Sequence, residues 1–175
     1  MTKRNVMIQI STTRWQVPTH LFADLAPQAE EEDPEEPEEE TSNDNSPESS
    51  EMWVEGRLVT NTHRVELVYD ETELSGMEGA ITSIGFDRDT PTLVTMMRTG
   101  LVSTAMVFEE GKRHFCVYDT PFSSFQICVR AIAVENRLLT DGTLILEYLI
   151  EIEGAQAEHC RMTVSTTETK ELFPS

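Results

Sequence analysis

The sequence predicts an all-β protein, an antiparallel up-and-down β-barrel of about ten strands. Three observations carry this. From Trp53 onward, turn-forming pairs such as Ser75-Gly76, Thr99-Gly100, Glu110-Gly111, Thr120-Pro121 and Asp141-Gly142 recur about every 8–12 residues. Between them apolar and polar residues alternate, with no convincing helical period. Hairpins drawn through those turns keep one apolar face over six strands, and such a meander must close on itself or pack against another layer.

A chain of 175 residues is enough for a single domain with a real core. A first strand is expected at about 4–13, where Val6, Ile8 and Ile10 alternate with polar neighbours. Residues 14–25, RWQVPTHLFADL, read as a short helical turn or lid. An acidic insertion then spans about 26–51. Its 30–51 portion, EEEDPEEPEEETSNDNSPESSE, has no aliphatic or aromatic side chain to offset ordering entropy, so it is expected to be disordered. It lies between two paired strands, and the remaining strands occupy about 52–166.

Side-chain alternation specifies a register. A two-residue loop at Thr99-Gly100 sets Met97 against Val102, Thr95 against Thr104 and Leu93 against Met106. The Glu110-Gly111 loop brings Phe115 to Met106 and Val117 to Thr104. A turn centred near Phe122 pairs Phe115 with Val129 and Val117 with Ile127. Asp141-Gly142 reads as a type I′ hairpin that sets Ala133 against Ile150 and Ala131 against Ile152. A loop after Glu153 brings Ile150 to Cys160 and Tyr148 to Met162.

The net charge of −19 is uneven. Residues 24–51 hold 13 acidic side chains and no Lys or Arg, which leaves −6 for everything else. Neither nucleic acid nor an anionic membrane is an expected partner, since both demand clustered cations. There is no continuous apolar run of signal-peptide or membrane-helix length. Three cysteines, an odd number without a secretory signal, point to a reducing cytoplasm.

Residues 106–125, MVFEEGKRHFCVYDTPFSSF, gather a His, a Cys, a Tyr, an Asp and two Ser. The register above turns Phe115 and Val117 inward and His114, Cys116 and Tyr118 outward, so a polar hairpin face is the expected reading. Nucleophilic catalysis would need a base held by a third group and an oxyanion site, and neither is signalled. Cys116 falls opposite Cys128, within disulfide reach, although two free thiols are expected in a cytoplasm. No metal-ligand spacing accompanies His114, and His20, His63 and His159 stand alone. All four histidines read as structural or surface residues.

Residues 69–79, YDETELSGMEG, gather Asp70, Glu71, Glu73 and Glu78. Paired carboxylates can do acid/base work or hold a cation. The plainer reading is a solvated strand end balanced by Arg98 or Arg64. The alternative is a polar rim that orients a ligand at the barrel mouth.

The runs YDETELSGMEGAITSI, VTMMRTGLVSTAMVFEEGKRH and YDTPFSSF resemble the YwiB-like family of bacterial proteins of unknown function. The resemblance covers roughly 53–164 plus the first strand. It implies a calycin-like or lipocalin-like β-barrel and no established activity. Ser123 departs from the Gly expected there, and the acidic insertion is longer than expected. Gly100 and Gly111, among the matching positions, suit turns that need positive φ. Tyr69, Glu71, Glu73, Glu78, Arg98 and Tyr118 also match, and there a ligand is expected.

The leading expectation is therefore a cytoplasmic, non-enzymatic barrel binding a small or apolar ligand, with no cofactor. Met97, Met106, Met162, Phe108 and Phe115 would be its adaptable lining. A second reading is an interaction module with a filled core that acts through its acidic insertion or outer face on an unidentified protein. The third is an enzyme with a carboxylate–Arg site at Glu71, Glu73, Glu78 and Arg98.

Overall fold

The computed structural model describes residues 1–16, 46–152 and 155–169 and contains ten antiparallel strands. In chain order these are β1 (Thr2–Gln16), β2 (Glu48–Thr60), β3 (Arg64–Asp70), β4 (Ile81–Asp87) and β5 (Thr90–Thr99). They continue as β6 (Ser103–Glu109), β7 (Arg113–Asp119), β8 (Ser124–Arg137), β9 (Thr143–Ile152) and β10 (Ala155–Glu168). Each pairs with its neighbour in sequence, and β1 pairs with β10 to close the barrel. This is the closed, antiparallel up-and-down meander that the sequence predicts. Among the described residues no helix is long and apolar enough to cross a membrane.

Period-two alternation builds the core. Val6, Ile8 and Ile10 on β1, Val65 and Leu67 on β3, and Ile84 and Phe86 on β4 all point inward and are buried. Cross-strand pairing stacks them in layers: Val65 faces Phe86, Phe86 faces Val94, and Val94 faces Phe108. Phe108 meets Tyr148 edge-on at 4.9 Å between ring centroids, a favourable aromatic geometry.

An up-and-down meander puts alternate connections at opposite ends. The loops after β2, β4, β6 and β8 close one end over the packed layers. The opposite end carries the β1–β2, β3–β4, β5–β6, β7–β8 and β9–β10 connections.

β1 is longer than expected, and β2 starts at Glu48, inside the expected disordered insertion. Ser11↔Glu51 through Arg14↔Glu48 pair β1 with β2, so residues 48–51 belong to the wall. Their polar side chains suit it, because this end of β2 is exposed. The rest of the insertion, and residues 17–25 of the expected lid, lie outside the described residues; residues 14–16 continue β1.

Five register expectations are corrected. One of them is in β6–β7, where Thr104 pairs with Tyr118 and not with Val117, so Phe115 is not opposite Met106. In β5–β6 the pairs are Arg98↔Thr104, Met96↔Met106 and Val94↔Phe108. The connection is thus three residues longer than the expected hairpin, and an odd shift reverses the face of β5. Val94, Met96 and Arg98 go inside, while Met97 is exposed. Burying Arg98 against Glu71 demands this parity.

In β7–β8 the pairs are Phe115↔Cys128, Cys116↔Ile127 and Tyr118↔Phe125, a slip of one. Thr120 causes it. Its Oγ1 accepts from Phe122 N and Ser123 N and donates to Ser123 O, which fixes a four-residue turn over 120–123. Phe115 and Val117 therefore point outward, and Cys116 and Tyr118 face the core. Cys116 does not oppose Cys128, and all three thiols are free.

A further correction concerns Asp141-Gly142. It ends a longer loop in which Arg137 O accepts from Thr140, Asp141 and Gly142 N. Ala133 pairs with Glu147 and Ala131 with Tyr148, with a bulge between. In β9–β10 the partners are Tyr148↔Cys160 and Leu146↔Met162. That is a shift of two from expectation, so the inward face is kept.

Gly100 makes the β5–β6 turn possible. Its φ is 131°, and an added Cβ would sit 2.5 Å from Gly79 O and 2.9 Å from Ala80 Cα, both backbone. We expect Gly100→Ala to cost about 1–3 kcal/mol. Gly76→Ala, at φ 71° with nothing within 4 Å, should cost about 1 kcal/mol from φ strain alone. Urea unfolding compares them, and equal costs would contradict the close approach.

Candidate ligand-binding site

One transverse row of side chains crosses six strands. Tyr69 pairs with Thr82, Thr82 with Arg98, Arg98 with Thr104, Thr104 with Tyr118, and Tyr118 with Phe125. It is polar where the neighbouring row, Leu67–Ile84–Met96–Met106, is apolar. The row thus forms a partial polar belt along β3–β7 of the barrel interior, ended by Phe125 on β8.

Glu71, just past β3, turns back onto this belt. Its amide donates to Ala80 O at 2.8 Å, which pins the start of the β3–β4 connection. Its Oε1 accepts from Thr82 Oγ1 at 2.5 Å and from Arg98 Nε at 3.2 Å, with Arg98 Nη2 at 3.1 Å. Arg98 Nε also donates to Thr82 Oγ1 at 3.1 Å. The Glu71 side chain is 2 % exposed and that of Arg98 10 %. Buried charges persist only when paired and hydrogen-bonded, and here both conditions hold.

Above the belt lies a cavity of about 700 Å³, within the range of small-molecule pockets. Ile10, Met52, Met96, Met106, Ile127, Ile150 and Met162 line it, with Tyr69, Glu71, Arg98, Tyr118 and Tyr148 as polar groups. A single 3₁₀ turn, Glu73–Ser75, followed by Gly76 in the left-handed conformation, brings Leu74, Ser75 and Met77 over it. Tyr118 Oη donates to Met77 Sδ at 3.8 Å. The cavity therefore belongs to the end that carries the β3–β4 connection.

Burial dominates the acid–base behaviour of this lining. It pushes the phenols of Tyr69 and Tyr148 well above the ordinary tyrosine range, and the Glu71 charge adds to the effect on Tyr69. Burial, then the neighbouring Glu158 carboxylate, pushes the Cys160 thiol up to about 12 from an ordinary 9.0. The folded state therefore keeps these protons after the unfolded chain has released them. Stability from this source is intact below pH 9 and should fall as pH rises from 9 toward 12. We expect the urea midpoint to drop across that window, less steeply in Cys160→Ala. An identical slope in the variant would remove Cys160 as a contributor.

Of the six expected ligand residues, Tyr69, Glu71, Arg98 and Tyr118 line the cavity together. Glu73 and Glu78 are exposed and outside its lining. Met106 and Met162 line it as expected, Phe108 is packed in the core, and Met97 and Phe115 face outward. Arg64 pairs with Glu66 and Asp87, away from the belt. His114 lies 3.1 Å from Glu109, and His159 lies 3.0 Å from Glu147. Sequence reasoning missed Thr82 and Tyr148. Thr82 carried a signal, as a polar residue in step with Ile84 and Phe86 on the inward face of β4.

Fold and site together define a closed ten-stranded barrel with an internal cavity floored by a buried ion pair. The chain belongs to the family described as Domain of unknown function (DUF1934), whose model matches residues 37–164. It is similar over 96% of its length, and over 94% of the other chain, to the crystal structure of the ywiB protein from Bacillus subtilis, with 13% identity and a TM-score of 0.67. That likeness concerns the fold. No curated protein matches the sequence.

Proposed function

We propose that this protein binds a small, largely apolar ligand inside the open half of its barrel and performs no chemistry on it. The cavity of about 700 Å³ over the Glu71–Thr82–Arg98 floor is the observation that carries this reading. Methionines supply a lining that adapts to irregular apolar shapes, and a few fixed polar groups orient a ligand. An acid/base enzyme would need two carboxylates with separated roles in one cleft. Only Glu71 of the expected three reaches the cavity floor, its Oε1 is engaged by Arg98 and Thr82, and the other lining carboxylates, Glu51 and Glu158, are engaged by Gln9 and Arg14. Free cysteines suit the cytoplasm as the place of action.

Native mass spectrometry of protein purified gently from its host, set beside the denatured sample, tests the proposal. A reproducible extra mass that leaves on denaturation is the expected result. No extra mass, together with no uptake of a neutral fluorophore, would overturn it.

A second reading, a protein-interaction module, has its own support. Leu74, Leu101 and Phe122 sit on three successive loops of the cavity end and are 82 %, 55 % and 96 % exposed. Its test is partner capture after removing part of the acidic insertion. The deletion must stop at residue 45, because residues 48–51 are part of β2.

A further inference from the structure

The charges in the cavity select among ligands. This inference rests on the ligand-binding reading above and names the class of compound. Among the described residues, five charged side chains line the cavity: Arg14, Glu51, Glu71, Arg98 and Glu158. Arg98 is paired with Glu71 at 3.1 Å, and Arg14 with Glu158 at 3.7 Å. Glu51 accepts a hydrogen bond from Gln9 Nε2. Neither cation lacks a carboxylate, and carboxylates exceed cations by one.

A ligand carboxylate or phosphate entering this space would lose its water without gaining an unpaired cation. It would also approach Glu71, whose charge is already balanced. An ammonium ligand meets the mirror problem at the floor, where Arg98 occupies the only carboxylate. Among the described lining residues, unneutralised negative charge is left only at Glu51, which is exposed and solvated. Either ion would be desolvated at a floor that is electrically complete.

Hydrogen bonding remains on offer. A guanidinium carries five N–H donors, and Arg98 directs Nε and Nη2 to Glu71 and Thr82 while lying on the cavity wall. Tyr118 Oη now donates to a thioether sulfur at 3.8 Å. A thioether is a weak acceptor that a carbonyl oxygen can replace with advantage. Donors therefore predominate on the cavity floor, inside an apolar wall.

We infer that the cavity takes an uncharged amphiphile: an apolar chain or ring system ending in a neutral carbonyl group, such as an amide or ester, that accepts hydrogen bonds from Arg98 and Tyr118. Glu71 is the specificity-determining residue, because it cancels the charge that would otherwise attract an anion.

The full chain is loaded with N-phenyl-1-naphthylamine, a neutral fluorophore, and titrated near neutral pH with decanamide, decanoate or decylammonium. Decanamide should displace the fluorophore at a concentration at least about tenfold below either ion. Decanoate or decylammonium matching decanamide would overturn the inference while leaving ligand binding intact. Failure of the fluorophore and all three compounds to bind would instead remove the ligand-binding reading, and this inference with it. Glu71→Gln leaves Arg98 without a counter-charge and should move the order toward decanoate by at least about tenfold. Should that variant not fold, the order measured on the unaltered protein still decides. Tyr118→Phe should weaken decanamide by a larger factor than it weakens the fluorophore. Equal factors, or no change in either, would remove Tyr118 from the recognition.

Discussion

Replacing Arg98 by Leu should cost about 3–5 kcal/mol of folding stability, the range for breaking a buried ion pair from one side. Glu71 would keep a nearly inaccessible carboxylate with Thr82 as its remaining hydrogen-bond donor. The substituted leucine gains some apolar burial at the belt but cannot satisfy that charge. Removing both partners tells a different story. A Glu71→Leu, Arg98→Met double variant swaps an ion pair for apolar volume, an exchange that is often neutral or stabilising. It should recover most of the loss. Urea unfolding of the two single variants and the double forms a cycle that isolates the coupling. If Arg98→Leu costs no more than truncating Arg137, which is half-exposed in an i,i+4 surface pair, the pair is not the buried unit described above.

Phe108 and Phe115 make the second large contrast, and the pair tests the strand register directly. Phe108 is fully buried against Tyr148, so Phe108→Ala should cost about 3–5 kcal/mol. Phe115 is 64 % exposed, with the Arg113 guanidinium 5.9 Å from its ring centroid. Phe115→Ala should cost about 1 kcal/mol or less. Chemical denaturation of both variants reads the difference. A Phe115 variant as damaged as the Phe108 variant would return β7 to the register expected from sequence, with Phe115 inside.

The architecture was legible because it is written in repetition. Turn residues and alternation recur along the chain, and an error at one hairpin does not spoil the count of strands. Faces were harder. A β-strand shows its inward side only through parity, and parity depends on loop length. β5 has apolar residues at both Met96 and Met97, so its own pattern could not choose between them. The choice came from Arg98, whose partner on the β3–β4 connection is 27 residues away. β7 is more instructive still, since its most apolar residues, Phe115 and Val117, are the exposed ones. One threonine in the following turn sets that outcome, and no strand-level pattern contains it.

The candidate site was half legible for a related reason. Glu71 and Arg98 stood out as charges that packing alone did not explain, and they meet. Glu73 and Glu78 belong to the same short acidic run but differ in fate. The 3₁₀ turn carries Glu73 into solvent, and the chain after Gly76 leaves Glu78 there too. Composition placed all three together, whereas only backbone geometry separates them.

The pairing of β1 with β10 has a consequence for the protein's birth on the ribosome. β1 can pair with β2 early in synthesis, but its other edge must wait for Val6 to meet Glu168, 162 residues later. Until then the nascent sheet presents the open backbone edge of a long strand carrying Val6, Ile8 and Ile10, the kind of edge that recruits foreign strands. Non-local pairing of this span is also slow to form. The interval before the last strand emerges is therefore the time of greatest aggregation risk. Chains stalled or truncated before residue 155 should depend on chaperones far more than the finished barrel does.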